Sequence, residues 1–215
     1  MIQGVAHLLT QRGNNSQDVF LADKDKIAYL EKLVKKAEKY SLEILGYCLM
    51  SNNVHLIGTP RKPESLAKAF GRTNLSYTQY FNEKYSFSGH LWQNRYYSCP
   101  LDEEHFWRAL CYIERIPVRA GLVENAWSYS WSSAAAHIGN DSLDKLIDLR
   151  KWESMAAGIG WESQLKRPDD KKTISRINRS LKSGRPLGND DFIDALELKT
   201  SRRLRPLPVG RPPKK

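Results

Sequence analysis

Cysteine is scarce in this chain of 215 residues, which holds only Cys48, Cys99 and Cys111, far apart and odd in number. That argues against a disulfide framework or a four-cysteine zinc site, and it suits a reducing cytoplasm. Long apolar runs are missing too, so no membrane partner is expected. A signal peptide is not expected either, since Met1-Ile2-Gln3-Gly4 passes straight into the strand-like Val5-Ala6-His7-Leu8-Leu9. No repeat of solenoid length recurs. Acidic residues run short only at one end. Residues 165–215 hold 15 Lys and Arg against 6 Asp and Glu, whereas residues 1–164 hold 19 against 18. The net charge of +10 therefore sits almost wholly in the C-terminal quarter. A basic extension on a near-neutral domain fits a polyanion partner, because neutralised phosphates release counterions. A solvated tail would fit the charge as well.

What is present reads as alternating strands and helices. Residues 5–11 have strand character. Asp23 can cap a helix to about Tyr40 with Ile27, Leu30, Leu33, Val34 and Ala37 on one face. Residues 42–50 and 54–59 flank the turn chemistry of Ser51-Asn52-Asn53. Pro63 suits the first turn of a helix reaching Tyr80 or Phe81. Residues 95–98 form a short strand, and the acidic start Asp102-Glu103-Glu104 opens a helix over 103–116 that stops at Pro117. This order predicts an α+β fold, a ferredoxin-like split β-α-β sandwich with an antiparallel sheet and helices on one side. The expected organisation is a domain over 1–140, a helical appendage over 141–164, and a basic, partly helical extension over 165–215. A weak helix is expected near residues 190–198, and the end, with its Pro and Arg, is expected to be mobile.

Several segments, in order, resemble one family. They are His7-Leu8-Leu9-Thr10-Gln11-Arg12-Gly13-Asn14, Asp18-Val19-Phe20, Tyr47-Cys48-Leu49-Met50 and Val54-His55-Leu56. Gly89-His90-Leu91-Trp92-Gln93, Tyr112-Ile113-Glu114-Arg115 and Pro117-Val118-Arg119-Ala120-Gly121-Leu122-Val123 follow, with Gly184-Arg185-Pro186-Leu187-Gly188 in the extension. Together they resemble the single-tyrosine HUH transposases, and among these the REP-associated tyrosine transposases.

The resemblance implies a chemistry for particular residues. Positions 53 and 55 of a strand point to one face. In the family both are histidines that hold a divalent metal against the scissile phosphate. A helix tyrosine then attacks, and a polar residue one turn later completes the metal shell. Carried onto this chain, Tyr112 is the nucleophile and His55 a ligand for Mg²⁺ or Mn²⁺. The other two ligand positions fall on Asn53, which keeps an amide oxygen, and on Ile116, which cannot ligate. Neither Glu114 nor His105 replaces the missing ligand, because one faces away from Tyr112 and the other lies two turns off.

The expected partner is single-stranded or hairpin DNA, in the cytoplasm, bound by a monomer that uses its own Tyr112. Arg12, Arg95 and Arg119 are candidate phosphate contacts. In the extension the candidates are Arg185, Arg202, Arg203, Arg205 and Arg211, with Lys214 and Lys215. Its two Gly-Arg-Pro tripeptides, at 184–186 and 210–212, could present Arg185 and Arg211 to a narrow minor groove. The mixed loop over 89–97 could stack on unpaired bases, with Trp92 in the core and Arg95 in contact. His90 is read as structural or DNA-adjacent, and Trp127 and Trp131 as packing residues. Two functions compete: a metal-assisted DNA strand transferase, favoured by Tyr112, and a relative that binds hairpins without cutting, favoured by Asn53 and Ile116. An RNA-hairpin binder is a third reading that leaves Tyr112 unused.

Overall fold

Short apolar runs pair into one four-stranded antiparallel sheet in this computed structural model, which describes residues 2–140, 144–168 and 170–206. The strands are β1 (His7–Arg12), β2 (Leu42–Met50), β3 (Asn53–Pro60) and β4 (Tyr97–Pro100), in the order β2-β3-β1-β4. The β2–β3 hairpin closes through Ser51 and Asn52 alone, so β3 begins at Asn53 and the register of the candidate site is fixed by a tight turn. β4 starts two residues later than its sequence suggests, where Tyr97 first pairs with Thr10.

Helices cover both faces of the sheet, where the sequence suggested one. Helix α1 (Asp23–Lys39) and helix α2 (Ser65–Tyr85) pack together on the face that presents Leu9, Gln11, Val54 and Leu56. The buried stripe of α1 is Tyr29, Leu33 and Ala37, at helical spacing, whereas Ile27 is exposed. Asp25, inside the first turn, fixes the helix start by accepting from the Leu21 and Ala22 N–H groups. α2 begins two residues after Pro63 and runs a full turn past Phe81, carried on by the packing of Phe81 against Tyr85 and Phe87.

Helix α3 (Glu103–Glu114) lies on the opposite face. It approaches β2 at Gly46, where a Cβ would stand only 2.2 Å from Leu110 Cδ1. Its start is capped by Asp102, which accepts from the His105 N–H at 2.8 Å. Pro117 does not end this helix. α3 breaks at Arg115, and a short helix α4 (Ile116–Arg119) begins with Pro117 in its first turn, where a missing N–H costs nothing. Tyr112 and Ile116 are therefore on two helical pieces, not one.

Beyond α4 come α5 (Ala134–His137), α6 (Leu149–Met155) and α7 (Trp161–Lys166). α6 is short, since Asp148 caps it while Asp144 caps the preceding turn through the Leu146 and Ile147 N–H groups. These pieces grip the back of α3. Buried Glu114 accepts from His137 Nδ1 at 2.6 Å, Ser133 Oγ at 2.5 Å and Trp161 Nε1 at 2.8 Å, and Trp152 and Trp161 join the core. The extension folds back as α8 (Lys171–Ser183) and α9 (Asp190–Thr200), the latter where a weak helix was expected. It is stitched to the edge of β4 by the Leu187 N–H to the Pro100 carbonyl, 2.8 Å.

Candidate active site and nucleic-acid interface

Strand register builds the site. Cys48, His55, Thr10 and Tyr97 are successive cross-strand partners, so they form one row across all four strands and share a face. Met50, Asn53 and Arg12 form the next row on that face. α3 covers the preceding rows and brings Tyr112 to the edge of the His55 row. The Tyr112 and His55 rings meet edge to face with centroids 6.5 Å apart. The Arg119 guanidinium lies 4.5 Å over the Tyr112 ring and donates to the Tyr112 carbonyl at 2.6 Å. From the extension, Asn178 of α8 accepts the Tyr112 hydroxyl at 3.0 Å.

His55 is buried, and its Nδ1 is 2.9 Å from Thr10 Oγ1. Burial, assisted by the Arg119 charge, lowers its pKa to about 3, so the imidazole is neutral at physiological pH. A neutral imidazole with one nitrogen engaged is a ligand-competent group. Asn53 donates to the Asn52 side chain at 2.6 Å, while its own Oδ1 is buried with no hydrogen-bond partner. An orphaned acceptor two residues from His55 on one strand face is what a cation site would leave behind. Ile116 sits half-buried against the core and offers no donor. Among the described residues no group of three or more His, Cys, Asp or Glu could hold a metal. The donor pair Asn53 and His55 fits a hard ion that keeps waters for the rest of its shell.

The basic candidates divide by location. Arg12 is exposed beside Asn53, and Arg119 is at Tyr112. Arg95 is exposed on the loop before β4, near Trp92, which donates to the Asn74 carbonyl at 3.3 Å and packs edge-on against Tyr29. His90 is exposed on the same loop. Trp127 and Trp131 are half-buried, with Lys166 and Lys26 over their rings. Gly184-Arg185-Pro186 is a helix end instead of an extended arm. Gly184 closes α8 with φ +69°, Arg185 donates to the Leu204 carbonyl at 2.9 Å, and Pro186 is buried. Arg202 and Arg203 are exposed. Arg205 is engaged by Asp190, Asp194 and Glu197 of α9. Arg211, Lys214 and Lys215, with the second Gly-Arg-Pro tripeptide and the expected mobile end, lie outside the described residues.

Sequence reasoning missed Thr10, Asn178 and the whole of α8. The helix carries Lys171, Lys172, Arg176, Arg179 and Lys182, all exposed, and no carboxylate. Its signals were present: an Asp170 cap, Ile174, Ile177 and Leu181 at helical spacing, and Gly184 at the end. Beside Tyr112, a cavity of about 530 Å³ opens between α3, α7 and α8, walled by Trp107 and Ile174.

A buried strand histidine thus lies under a helix tyrosine on one antiparallel sheet, with a basic helix alongside. The family model described as "Transposase IS200 like" matches residues 6–116, and the chain belongs to that family. The match ends at Ile116, so the appendage and extension lie beyond it. The fold is similar to that of a REP-associated tyrosine transposase solved bound to a REP hairpin, with a TM-score of 0.54 and 16% identity. That similarity covers 67% of this chain and 86% of the other. A protein from Deinococcus radiodurans R1 described as a transposase is 19% identical over 54% of this chain and 92% of its own, with a TM-score of 0.38. A comparison with curated proteins finds no match. No described helix is long and apolar enough to cross a membrane.

Proposed function

We propose that this chain binds a DNA hairpin with flanking single strand and nicks the strand through Tyr112, as a member of the REP-associated branch of its family. The observation that carries the reading is the edge-to-face approach of Tyr112 to neutral, buried His55 under the Arg119 guanidinium. The Tyr112 oxygen attacks the phosphorus, and a 5′-phosphotyrosine ester forms as the bond to the 3′ oxygen breaks. The 3′ oxygen leaves as a hydroxyl, taking up the proton that the phenol gives up overall. Arg119 offsets the charge that builds on the phosphate, and Thr10 fixes the His55 ring. Asn53 and His55 would hold Mg²⁺ or Mn²⁺, which when bound polarises a phosphate oxygen. In this reading a monomer acts in cis, with Tyr112 set against His55 of its own chain. A DNA partner puts the work in the cytoplasm.

A second reading, hairpin binding without cutting, is favoured by Asn53 and Ile116 at the two expected ligand positions. A labelled hairpin with a single-stranded flank, incubated with Mn²⁺, separates the two. Cleavage with a covalent adduct, absent in Tyr112→Phe, is the expected result. Tight binding without cleavage, with cutting restored by Asn53→His plus Ile116→Asn, would establish the binder instead. DNA and RNA hairpins of equal sequence, compared at matched salt, test the nucleic acid; tighter binding of the RNA would contradict the proposal.

A further inference from the structure

We propose that Tyr97 is a stacking platform for the unpaired base next to the phosphate presented to Tyr112, an inference that rests on the DNA reading above. Tyr97 closes the row that runs through Thr10 and His55, so it shares their face of the sheet. It lies two strands from His55, about 10 Å at ordinary strand spacing. At 42% exposure it is one of the few large aromatic side chains left open, and it packs against no other ring among the described residues. Its neighbour Tyr96, just before the strand, turns the other way and meets Phe70 with centroids 5.1 Å apart. The exposed ring is thus not a displaced core residue.

The surroundings choose the ligand. The two rows hold Cys48, His55, Thr10, Met50, Asn53 and Arg12 beside Tyr97 with no carboxylate, and Arg12 stands exposed on the same face. The cationic α8 packs beside β4 and reaches Tyr112 through Asn178. An aromatic plane flanked by cations and free of acidic groups recognises a single-stranded nucleic acid, by stacking on a base while phosphates meet the arginines. A duplex offers no free base face to such a platform, so recognition is confined to the flank of a hairpin. Stacking is tolerant of base identity, so the platform sets where the strand lies rather than which sequence is bound.

The test uses the full chain and two oligonucleotides: a hairpin with a single-stranded flank carrying 2-aminopurine at one position at a time, and the same hairpin with a blunt end. The native protein is expected to quench 2-aminopurine at one flank position. Tyr97→Ala should lose that quench and bind the flanked hairpin about 10-fold more weakly, the size of one lost base–aromatic stack. Tyr97→Phe should keep both, and the loss should vanish on the blunt hairpin. Equal binding and equal quenching by Tyr97→Ala and the native chain would overturn the platform while leaving the DNA reading intact. An equal loss on both hairpins would overturn it as well, since the residue would then act through fold or general affinity. If the native chain binds neither hairpin, the DNA reading itself fails and the platform with it.

Discussion

The face of the sheet under α1 and α2 and the face under α3 treat polar side chains in opposite ways. On the first, Tyr29 donates to Asn74 at 2.8 Å and Asn74 to Gln11 at 3.3 Å, all three buried. Asp25 collects the Leu21 and Ala22 N–H groups, Tyr80, Tyr85 and Lys84. Burial works to raise that carboxyl's pKa, but these donors hold it below the ordinary value. On the second face, α3 covers only part of the sheet. There Asn53 Oδ1 is buried without a partner, and Arg12 and Tyr97 stand in the open. The contrast is one of cover: two helices close the first face, and the second keeps an exposed strip. The closed face is expected to govern stability and the open face binding.

Substitutions on the two faces should separate stability from function. Tyr77 is fully buried, donates to the Val19 carbonyl, and packs on Phe20 and Tyr29. Tyr77→Ala should cost about 3–5 kcal/mol in denaturant unfolding, whereas Arg12→Gln should change stability by under about 0.5 kcal/mol and weaken DNA binding. A similar stability loss from both would break the contrast.

Acid offers a second test, acting on histidines of the sheet itself. Burial lowers His7 to about 4 and His55 to about 3, both from 6.5. Below pH 6.5 the unfolded chain takes up protons that the folded one refuses, so stability is full above that pH and falls as pH drops toward 4. Each residue contributes a slope of up to about 1.4 kcal/mol per pH unit. Thermal unfolding across pH 4–8 should show this limb, and His7→Gln should make it shallower.

The smallest effect is expected on salt dependence. Lys172→Gln, Arg179→Gln and Lys182→Gln together should lower the slope of log affinity against log salt by about 2 for single-stranded DNA, at about 0.7 per lost phosphate contact. An unchanged slope would remove α8 from the interface.

Much of this arrangement is readable in the chain because it depends on local pattern. Alternation and the Ser51-Asn52 turn locate β2 and β3 to within a residue, and that register alone places Asn53 and His55 on one face. Tyr112 is legible through its helix and its neighbours. What escapes depends on docking. Asn178 reaches Tyr112 only because α8 folds back across 66 residues of chain. α8 itself is masked by its composition, three apolar residues among five cations, which reads as a solvated tail. The break at Arg115 escapes for another reason: Pro117 can either end a helix or begin one, and packing decides.

The central claim is that Tyr112 becomes covalently joined to DNA. Mass spectrometry of proteolysed protein, after incubation with Mn²⁺ and a flanked hairpin, tests it most directly. One nucleotide-bearing peptide is expected, modified at Tyr112 through a 5′-phosphate. Complete recovery of unmodified Tyr112 from protein that binds the hairpin tightly, or an adduct on another residue, would contradict it.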